Sequence, residues 1–538
     1  MHKSALAGFI IDCKTDDLQA EDPHLVGHGS SDRPTVLCGQ GQGAPLRQEG
    51  EPLGLAVPRL NERGARPRRL AFIALMDTSA EAAPVATAPE SRALREAPMV
   101  PGLPLLGNVL DMARDPARFF ADCYAKYGPV YRFKMLGRSC TVLAGPHAAH
   151  WMGTKEGKEC LRSKEFWQGL IHEYHATQSL PGLDGERHKQ LRDVLRHGYS
   201  RESILGRYNE LIGITDRSIE RDWKTGTEVY ALPAMQMMVT DQLGSILTGR
   251  APLEYVSDIR VTILYILNVL ITRQRPKFFL LNPAYKKAKA RVHELGNKMI
   301  ADYRARGPWK EGQQRTMVDD IMEAHDKNPD LMPKSDLVLQ LTAPYVAGLD
   351  TVANTTSAIV YYVLKHPDAL KRIQAEVDAL FANGPIEESA IKNLPVLNGA
   401  IMETMRLVPI AVAQMRTATR DFVFEGCQIK ADEMLYMATA VPHFMNEFFP
   451  EPDKFDVDRY EKPRAEHMKS GAYSPYGRGP HTCLGKSLAE VQMLLSMARV
   501  FYRLDLELES PDYVLKTKTA PTPGPHPSFK VRVKGYRH

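Results

Sequence analysis

Cys483 is the residue whose surroundings in this sequence most clearly favour chemistry. It lies in the segment YGRGPHTCLG (476–485), which contains three glycines and one proline and directly precedes a long amphipathic stretch. Glycine accepts positive φ and lets other groups approach the backbone closely, whereas proline stiffens a loop. A cysteine thiolate can be the axial ligand of haem iron, and it then needs N–H groups near the sulfur and a loop that lies against the macrocycle. The segment is therefore a candidate haem-ligand loop, and a structural cysteine in a buried turn is the alternative.

A second candidate is an apolar helical stretch, APYVAGLDTVANTTSAIVYYVLKHP (343–367), which carries Gly348, Asp350 and Thr351 in its middle. Glycine inside a helix costs about 1 kcal/mol, and a buried carboxylate is costly unless it is paired. A glycine that opens the helix beside an acid and an alcohol would suit dioxygen activation, which requires space and a relay that delivers protons. A helix kink with a capped polar pair is the alternative.

A third candidate is the segment METMRL (402–407), in which Glu403 and Arg406 are three positions apart. Residues with this spacing lie on one face of a helix, so the two side chains can form an ion pair. The pair stands 80 residues before Cys483. A solvated helix face is the alternative, because charged helices contain this spacing by chance.

These segments resemble the motifs of the cytochrome P-450 family of haem-thiolate monooxygenases. The cysteine signature of that family is aromatic-Gly-x-Gly-x-(His/Arg)-x-Cys-x-Gly, and Tyr476 here takes the aromatic place, where phenylalanine is usual. The glycines that the resemblance places against the haem are Gly477, Gly479 and Gly485. The helix motif Ala/Gly-Gly-x-Asp/Glu-Thr is matched at 347–351. Val352 follows where the family often has a second hydroxyl, which would alter the water network. The resemblance covers about residues 99 to 538, with the motifs in the order of the family.

The resemblance also implies a structural role for the Glu-x-x-Arg pair. In the family this pair joins an arginine from the segment just before the cysteine loop. The segment FFPEPDKFDVDRY (448–460) is similar to that one, with Arg459 in the place of the arginine. A triad of Glu403, Arg406 and Arg459 is therefore expected to lock the loop that holds Cys483.

Four further residues are implied as contacts of the haem propionates. The segment DGERHKQLR (184–192) resembles the helix of bacterial members that supplies two of these contacts, here His188 and Arg192. Arg416 and His481 fit the other two. Arginine and histidine suit these anions because they are charge-assisted donors, although each match alone is also explained by a surface side chain.

The composition of the chain excludes several classes of protein. It has 538 residues, a net charge of +5 and 25% charged residues, and its lysines and arginines are dispersed. That pattern argues against a nucleic acid partner. Seven cysteines without a CxxC pair favour a reducing compartment, so we expect a cytoplasmic protein. No stretch reaches the roughly 18 apolar residues of a membrane span.

Periodicity predicts a mainly α fold with small β-sheets. Helical patterns fill YNELIGITDRSIERDW (208–223), HPDALKRIQAEVDALFA (366–382) and GKSLAEVQMLLSMARVFYRL (485–504), while VYRFKML (130–136) and FKVRV (529–533) read as strands. Residues 99–538 are predicted to form a single haem-thiolate monooxygenase domain. Residues 1–98 are rich in Gly, Pro, Ala and Arg, which predicts a disordered extension.

The resemblance implies an enzyme that binds haem b and inserts one oxygen atom of O2 into an organic substrate. Its electrons would come from a redox partner, here a ferredoxin with its reductase. The segments expected over the haem, 166–175 and 261–285, are apolar. Core packing explains most of that pattern, and the remainder favours a lipophilic substrate such as a terpenoid, steroid, fatty acid or polyketide. Two alternatives stay open: a peroxygenase, isomerase or dehydratase with the same fold that does not use O2, and a non-catalytic haem-binding sensor.

Overall fold

The computed structural model describes residues 94–538 apart from 274, 383 and 385, and within these residues it contains sixteen α-helices and twelve short strands. These residues lie in one compact unit. The extension predicted over 1–98 lies outside the described residues except for 94–98. No helix in the described part of the chain combines the length and the apolar character needed to cross a membrane.

The helices follow one another over most of the chain. In order they are α1 (Val109–Arg114), α2 (Pro116–Tyr127), α3 (Gly145–Trp151), α4 (Lys155–Cys160), α5 (Lys164–Glu173), α6 (Gly185–Leu195), α7 (Arg201–Leu205), α8 (Tyr208–Asp222), α9 (Ala231–Leu243), α10 (Val256–Tyr265), α11 (Pro283–Arg306), α12 (Met317–Lys327), α13 (Leu337–Lys365), α14 (Pro367–Phe381), α15 (Pro395–Leu407) and α16 (Lys486–Arg503). Short π-helical turns extend α9 and α10 at their C-terminal ends.

The strands are short and occur near both ends of the described chain. In order they are β1 (Val130–Met135), β2 (Arg138–Ala144), β3 (Leu161–Arg162), β4 (Glu228–Tyr230), β5 (Gln414–Ala418), β6 (Phe422–Phe424), β7 (Cys427–Ile429), β8 (Met434–Ala438), β9 (Leu504–Leu508), β10 (Thr517–Lys518), β11 (Gly524–Pro525) and β12 (Lys530–Tyr536). The largest sheet has the order β1-β2-β8-β5-β3. In it β2 and β8 are parallel, with Val142 opposite Tyr436, and the other neighbours are antiparallel. The second sheet has the order β4-β12-β9, and β6-β7 and β10-β11 are two-stranded hairpins.

Local sequence explains where several helices begin and end. Pro116 stands in the first turn of α2, the Asp115 side chain accepts a hydrogen bond from Arg118 N, and Gly128 with φ +86 ends the helix. Proline suits a first helical turn, and glycine suits the left-handed residue after the last one. Pro367 begins α14 in the same way.

One long helix runs through the core and positions the site. The 29-residue helix α13 is buried along most of its length and packs against α9, α11 and α15. The helix α16 starts directly after Gly485, so the segment with Cys483 is anchored at its C-terminal side by a buried helix. The predicted mainly α fold with small β-sheets is confirmed, as are the helices at 208–223, 366–382 and 485–504.

Candidate haem-thiolate site

The loop before α16 takes a backbone path that glycine permits. Gly477 and Gly479 have φ values of +71° and +75°, a region that strains residues with a Cβ. A Cβ on Gly477 would fall 2.5 Å from Gln414 Nε2, and one on Gly479 would fall 2.7 Å from Met152 O. Gly485 differs, because its φ is −80° and a Cβ there would meet its neighbours at ordinary distances. The loop itself thus requires the first two glycines but not the third.

Hydrogen bonds hold the same loop in place around Cys483. Cys483 N donates to Tyr476 O at 3.0 Å, which closes the loop on itself. The side chain of Arg478 donates through Nε to Ser474 Oγ at 2.7 Å. Its main-chain N donates to Gln414 Oε1 at 3.1 Å, which ties the loop to β5. Cys483 is therefore held at a fixed point by its own backbone.

The thiol of Cys483 is accessible but partly desolvated. The residue is exposed, while burial by the surrounding protein raises the pKa of its thiol. A hydrogen bond from the Gly485 backbone and the charge of Arg192 oppose that rise. The two opposing groups are placed to stabilise a thiolate.

A buried ion-pair network lies behind the loop. Arg406 donates through Nε and Nη2 to the two carboxylate oxygens of Glu403, both at 2.8 Å. Arg459 Nε donates to Glu403 Oε1 at 3.0 Å, and Tyr460 Oη donates to Glu403 Oε2 at 2.7 Å. Both arginines and the glutamate are fully buried. The three residues predicted as a triad therefore meet, and Glu403 accepts in addition from Tyr460 and from Asp456 N at 3.1 Å.

His443 connects this network to the cysteine loop. Its carbonyl accepts a hydrogen bond from Arg406 Nη1 at 2.6 Å, and its Nε2 accepts one from Ser474 N at 2.9 Å. Burial, followed by the charge of Arg406, lowers the pKa of this imidazole to about 3. The neutral ring can therefore act as the acceptor. Ser474 in turn accepts from Arg478, so a continuous chain of contacts runs from Glu403 to the loop.

The four predicted propionate contacts cluster around Asp184. The rings of His188 and His481 are tilted against each other with centroids 4.4 Å apart, and His481 Nε2 lies 2.9 Å from Asp184 Oδ1. Arg192 donates through Nη2 to Thr482 O at 2.8 Å, one residue before Cys483. Burial lowers the pKa of Arg416 to about 10, against the opposing charge of Asp184. The structure therefore brings all four residues to one place, with His481 already paired to a carboxylate.

Two side chains of this cluster, those of His188 and Arg416, have donor groups that could bind an anion. His188 is buried, and its Nε2 has no hydrogen-bond partner among the described residues. The buried guanidinium of Arg416 donates to its neighbour's carbonyl, Met415 O, at 2.7 Å. A buried cation without a carboxylate bonded to it is costly. The residues present thus fit a haem whose propionates reach this cluster while Cys483 supplies the axial thiolate.

The helix α13 presents two different faces at its polar segment. Ala347 is exposed and Thr351 partly exposed, although the rest of the helix is mostly buried. Thr351 Oγ1 donates to Ala347 O at 2.9 Å. Asp350 is buried, and its Oδ1 accepts from Gln236 Nε2 on α9 at 3.1 Å. No hydrogen bond joins the Asp350 and Thr351 side chains in residues 94–538 as described, so the predicted acid–alcohol pair has separate partners.

Gly348 lies between these two faces. A Cβ at this position would fall 3.1 Å from Leu243 Cδ1 at the end of α9. That distance is tighter than an ordinary contact. The glycine therefore lets α9 and α13 approach each other beside Asp350.

Sequence reasoning did not identify several partners of the predicted residues. Gln236 and Lys518 contact Asp350 from distant parts of the chain, the latter with Nζ 3.9 Å from Oδ2. Tyr460 and His443 extend the Glu403 network. Asp184 stands in the DGERH segment, where the acid beside His188 was a usable signal.

Comparison with known proteins identifies the family to which these features correspond. The family model described as cytochrome P450 matches residues 98–528. Cytochrome P450 136 of Mycobacterium tuberculosis is 24% identical over 420 residues, which is 77% of this chain and 83% of that protein. The cyclooctat-9-en-7-ol 5-monooxygenase of Streptomyces melanosporofaciens is 25% identical over 420 residues, or 74% of this chain and 87% of that one.

The fold is also similar to solved structures. A retinoic acid-bound cyanobacterial member, CYP120A1, superposes with a TM-score of 0.71 at 22% identity, covering 82% of this chain and 100% of that chain. A second one, a cytochrome P450 haem domain, also has a TM-score of 0.71 at 20% identity. Both similarities concern the fold.

Proposed function

This chain belongs to the cytochrome P450 family, and we propose that it inserts one oxygen atom of O2 into a lipophilic organic substrate with electrons from a ferredoxin. Membership of the family makes it a haem-dependent monooxygenase. The observation that carries the proposal is the Cys483 loop: two glycines with positive φ, a closed backbone and an accessible thiol.

The haem is proposed to be haem b, held by the Cys483 thiolate and by contacts to its propionates. When bound, the haem supplies the redox chemistry with dioxygen. His188 and Arg416 carry the donor groups that lack an anionic partner, and Arg192 and His481 complete the cluster. Extraction with acidified organic solvent tests this assignment. Haem b should be extracted from the protein in unmodified form, whereas a covalently attached haem would stay bound to the protein.

The polar segment of α13 is proposed to handle protons. The hydroxyl of Thr351 lies on the accessible face of the helix. There its Oγ1 could form a hydrogen bond with a proton donor beside the haem. Asp350 lies on the buried face and would take up protons from the opposite side. General acid catalysis by such a group is worth about 10²- to 10⁴-fold. Gly348 permits the close approach of α9 and α13 beside Asp350.

The lipophilic substrate is inferred from the apolar side chains near α13. Leu170, Ile266 and Leu270 form a buried cluster with Leu339 of α13, and partly buried apolar residues extend it. The extending residues include Phe166, Trp167, Leu267 and Val346. Apolar side chains that are only partly covered by protein suit a ligand of the same character. A terpenoid, steroid, fatty acid or polyketide would match this lining.

The ferredoxin is proposed to dock on the cysteine side of the haem. Lys486 follows the loop directly and is exposed, and its ammonium lies 3.9 Å from Glu490 Oε1. A positive charge on this surface would attract an acidic donor, and such steering weakens as salt screens it. The rate of haem reduction by a ferredoxin should therefore fall with ionic strength.

One experiment separates this function from its alternatives. The haem-loaded protein is first screened against lipophilic compounds for a shift of the Soret band, and the best ligand is then turned over under two conditions. A monooxygenase forms product with a reduced ferredoxin and O2. A peroxygenase would form it with peroxide alone, an isomerase or dehydratase with neither, and a sensor would form no product at all.

A further inference from the structure

Three buried oxygen atoms lack a donor where α9, α13 and the β10–β11 hairpin meet. They are Gln236 Oε1, Asp350 Oδ2 and Asn354 Oδ1, and none has a hydrogen-bond partner among the described residues. The three residues as a whole are at most 7% exposed. Their other atoms are engaged: Gln236 Nε2 donates to Asp350 Oδ1 at 3.1 Å, and Asn354 Nδ2 donates to Asp350 O at 2.6 Å. An unpaired buried acceptor costs about 1–3 kcal/mol, so the cluster calls for a donor.

Lys518 on β10 places a cationic donor beside the unbonded oxygen of Asp350. Its Nζ lies 3.9 Å from Asp350 Oδ2 and donates to Thr522 O at 2.7 Å. An ammonium carries three N–H groups, so two remain for Asp350 or for a bridging water. The Lys518 side chain is 16% exposed, whereas that of Asp350 is 9% exposed. Lys518 therefore joins the buried acid to the protein surface.

The hairpin that carries Lys518 is seated tightly on α13. A Cβ on Gly524 would fall 2.3 Å from Asn354 Oδ1, so only glycine permits this approach. On the other side Thr519 Oγ1 donates to Ala113 O at 2.7 Å, which ties the hairpin to α1. These two contacts hold Lys518 at a defined distance from Asp350.

We propose that Lys518 positions Asp350 and passes protons to it from the surface at the β10–β11 hairpin. In this step an N–H bond of the ammonium breaks, an O–H bond forms at Asp350 Oδ2, and a neutral lysine remains. Solvent then returns a proton to the amine, and no electrons move. The proposal rests on the proposed monooxygenase function, which consumes protons on the Thr351 side of α13.

The charges around Lys518 are consistent with this role. Burial lowers the pKa of Lys518, and the charge of Asp350 opposes that effect. The other elements packed here contribute neutral groups: Gln236 from α9, Ala113 O from α1 and Thr522 O from the hairpin. Lysine can lose its proton when burial lowers its pKa, whereas arginine always stays charged.

That difference gives the first test. In the haem-loaded full-length protein, K518R keeps the positive charge but cannot release a proton. We expect K518R and K518M both to divert electrons to hydrogen peroxide and to lower product formation at least about 10-fold. Substrate-induced shifts of the Soret band should stay unchanged. Lys516 is exposed in the same hairpin arm, so K516R is the matched control and should behave as the parent. If K518R forms as much product per electron consumed as the parent, the proposed proton transfer is wrong. The role of Lys518 would then be limited to positioning Asp350 by its charge.

The second test needs no turnover. The lysines of the haem-loaded protein are labelled with 13C-methyl groups and titrated by NMR. One lysine signal should titrate at lower pH than the others and vanish in K518R. In D350N the pKa of this lysine should be lower still, because the negative charge of Asp350, which raises it, is gone. If all lysine signals titrate together, the proposal is wrong even for a fully active enzyme. If the shifted signal is present and no substrate is oxidised, the proposed function fails instead.

Discussion

Two buried polar regions of this molecule differ in how completely their hydrogen bonds are made. In the network behind the cysteine loop, Glu403 accepts from Arg406, Arg459 and Tyr460 at 2.7–3.0 Å. In the polar segment of α13, Asp350 keeps one carboxylate oxygen without a hydrogen bond within the described residues, and the amide oxygen of Gln236 on the neighbouring α9 also has none. Both regions are buried, so burial alone does not explain the contrast.

The difference indicates different roles. A buried charge network that is fully paired has one favoured arrangement and so holds its surroundings rigid. Buried acceptors without donors retain capacity for a proton or a water molecule that the protein itself does not supply. We therefore interpret the Glu403 network as a scaffold for Cys483 and the Asp350 segment as the part that handles protons.

The largest effect is expected when the Cys483 sulfur, which the Glu403 network holds in place, is removed. C483A removes the proposed axial ligand, so the variant should lose its haem or the long-wavelength absorption of the reduced carbon monoxide complex. Difference spectroscopy measures that band directly. A parent-like band in C483A would assign the iron to another cysteine. The buried and free Cys160 provides the control, because C160A should keep the band.

Breaking the scaffold should have the next largest effect. E403A leaves the buried guanidinium of Arg406 without its carboxylate, while Arg459 keeps only Glu466. Removing one partner of a buried ion pair costs about 3–5 kcal/mol in the free energy of unfolding. We expect little stable haem incorporation, measured as the ratio of haem absorbance to protein. The exposed Glu461 lies close by in the sequence, and E461A should incorporate haem normally. Full haem loading of E403A would contradict the scaffold interpretation.

Changing the polar segment of α13 should leave the fold intact but lower the amount of product formed per electron consumed. T351A removes the hydroxyl on the accessible face, so product formed per electron consumed should fall about 10²-fold while hydrogen peroxide rises. Substrate binding, followed by the Soret shift, should change little. T356A is the matched control, because that buried hydroxyl also donates to a helix carbonyl, Val352 O at 2.9 Å. Equal coupling in T351A and the parent would remove Thr351 from the proton path.

The smallest expected effect concerns another incompletely bonded group, His188. Burial, and after it the charges of His481 and Arg192, lowers the pKa of His188 from 6.5 to about 4. The unfolded chain takes up this proton first, so acidification favours unfolding between those two values. From pH 6.5 to about pH 5 the loss is about 1.5 kcal/mol in haem-free protein.

Chemical denaturation at several pH values measures that slope. H188Q, which does not titrate, should flatten it. Haem should flatten it too, because a propionate beside the imidazole favours the charged ring. An unchanged slope in H188Q would assign the pH dependence to other groups, His443 first among them.

Several parts of the site could be predicted from the sequence because short-range rules decide them. The loop glycines Gly477 and Gly479 were predicted from their neighbours, and both adopt the left-handed backbone that favours glycine. The spacing of Glu403 and Arg406 placed them on one helix face, where they form their ion pair. Their meeting with Arg459 could be expected only from the family resemblance. The metal, propionate and proton roles of the predicted residues remain predictions for the experiments above.

Sequence by itself determined which residues share a helix face, which turns need glycine and where helical periodicity runs, because these depend on contacts within a few residues. The tertiary structure alone decided which oxygen atoms go without donors. Gln236, Asp350 and Lys518 are separated by 114 and 168 residues along the chain, and only the packing of α9, α13 and the β10–β11 hairpin brings them together. Hydrogen-bond satisfaction in a buried site is a property of all packed elements at once, so no local pattern in the sequence could reveal it.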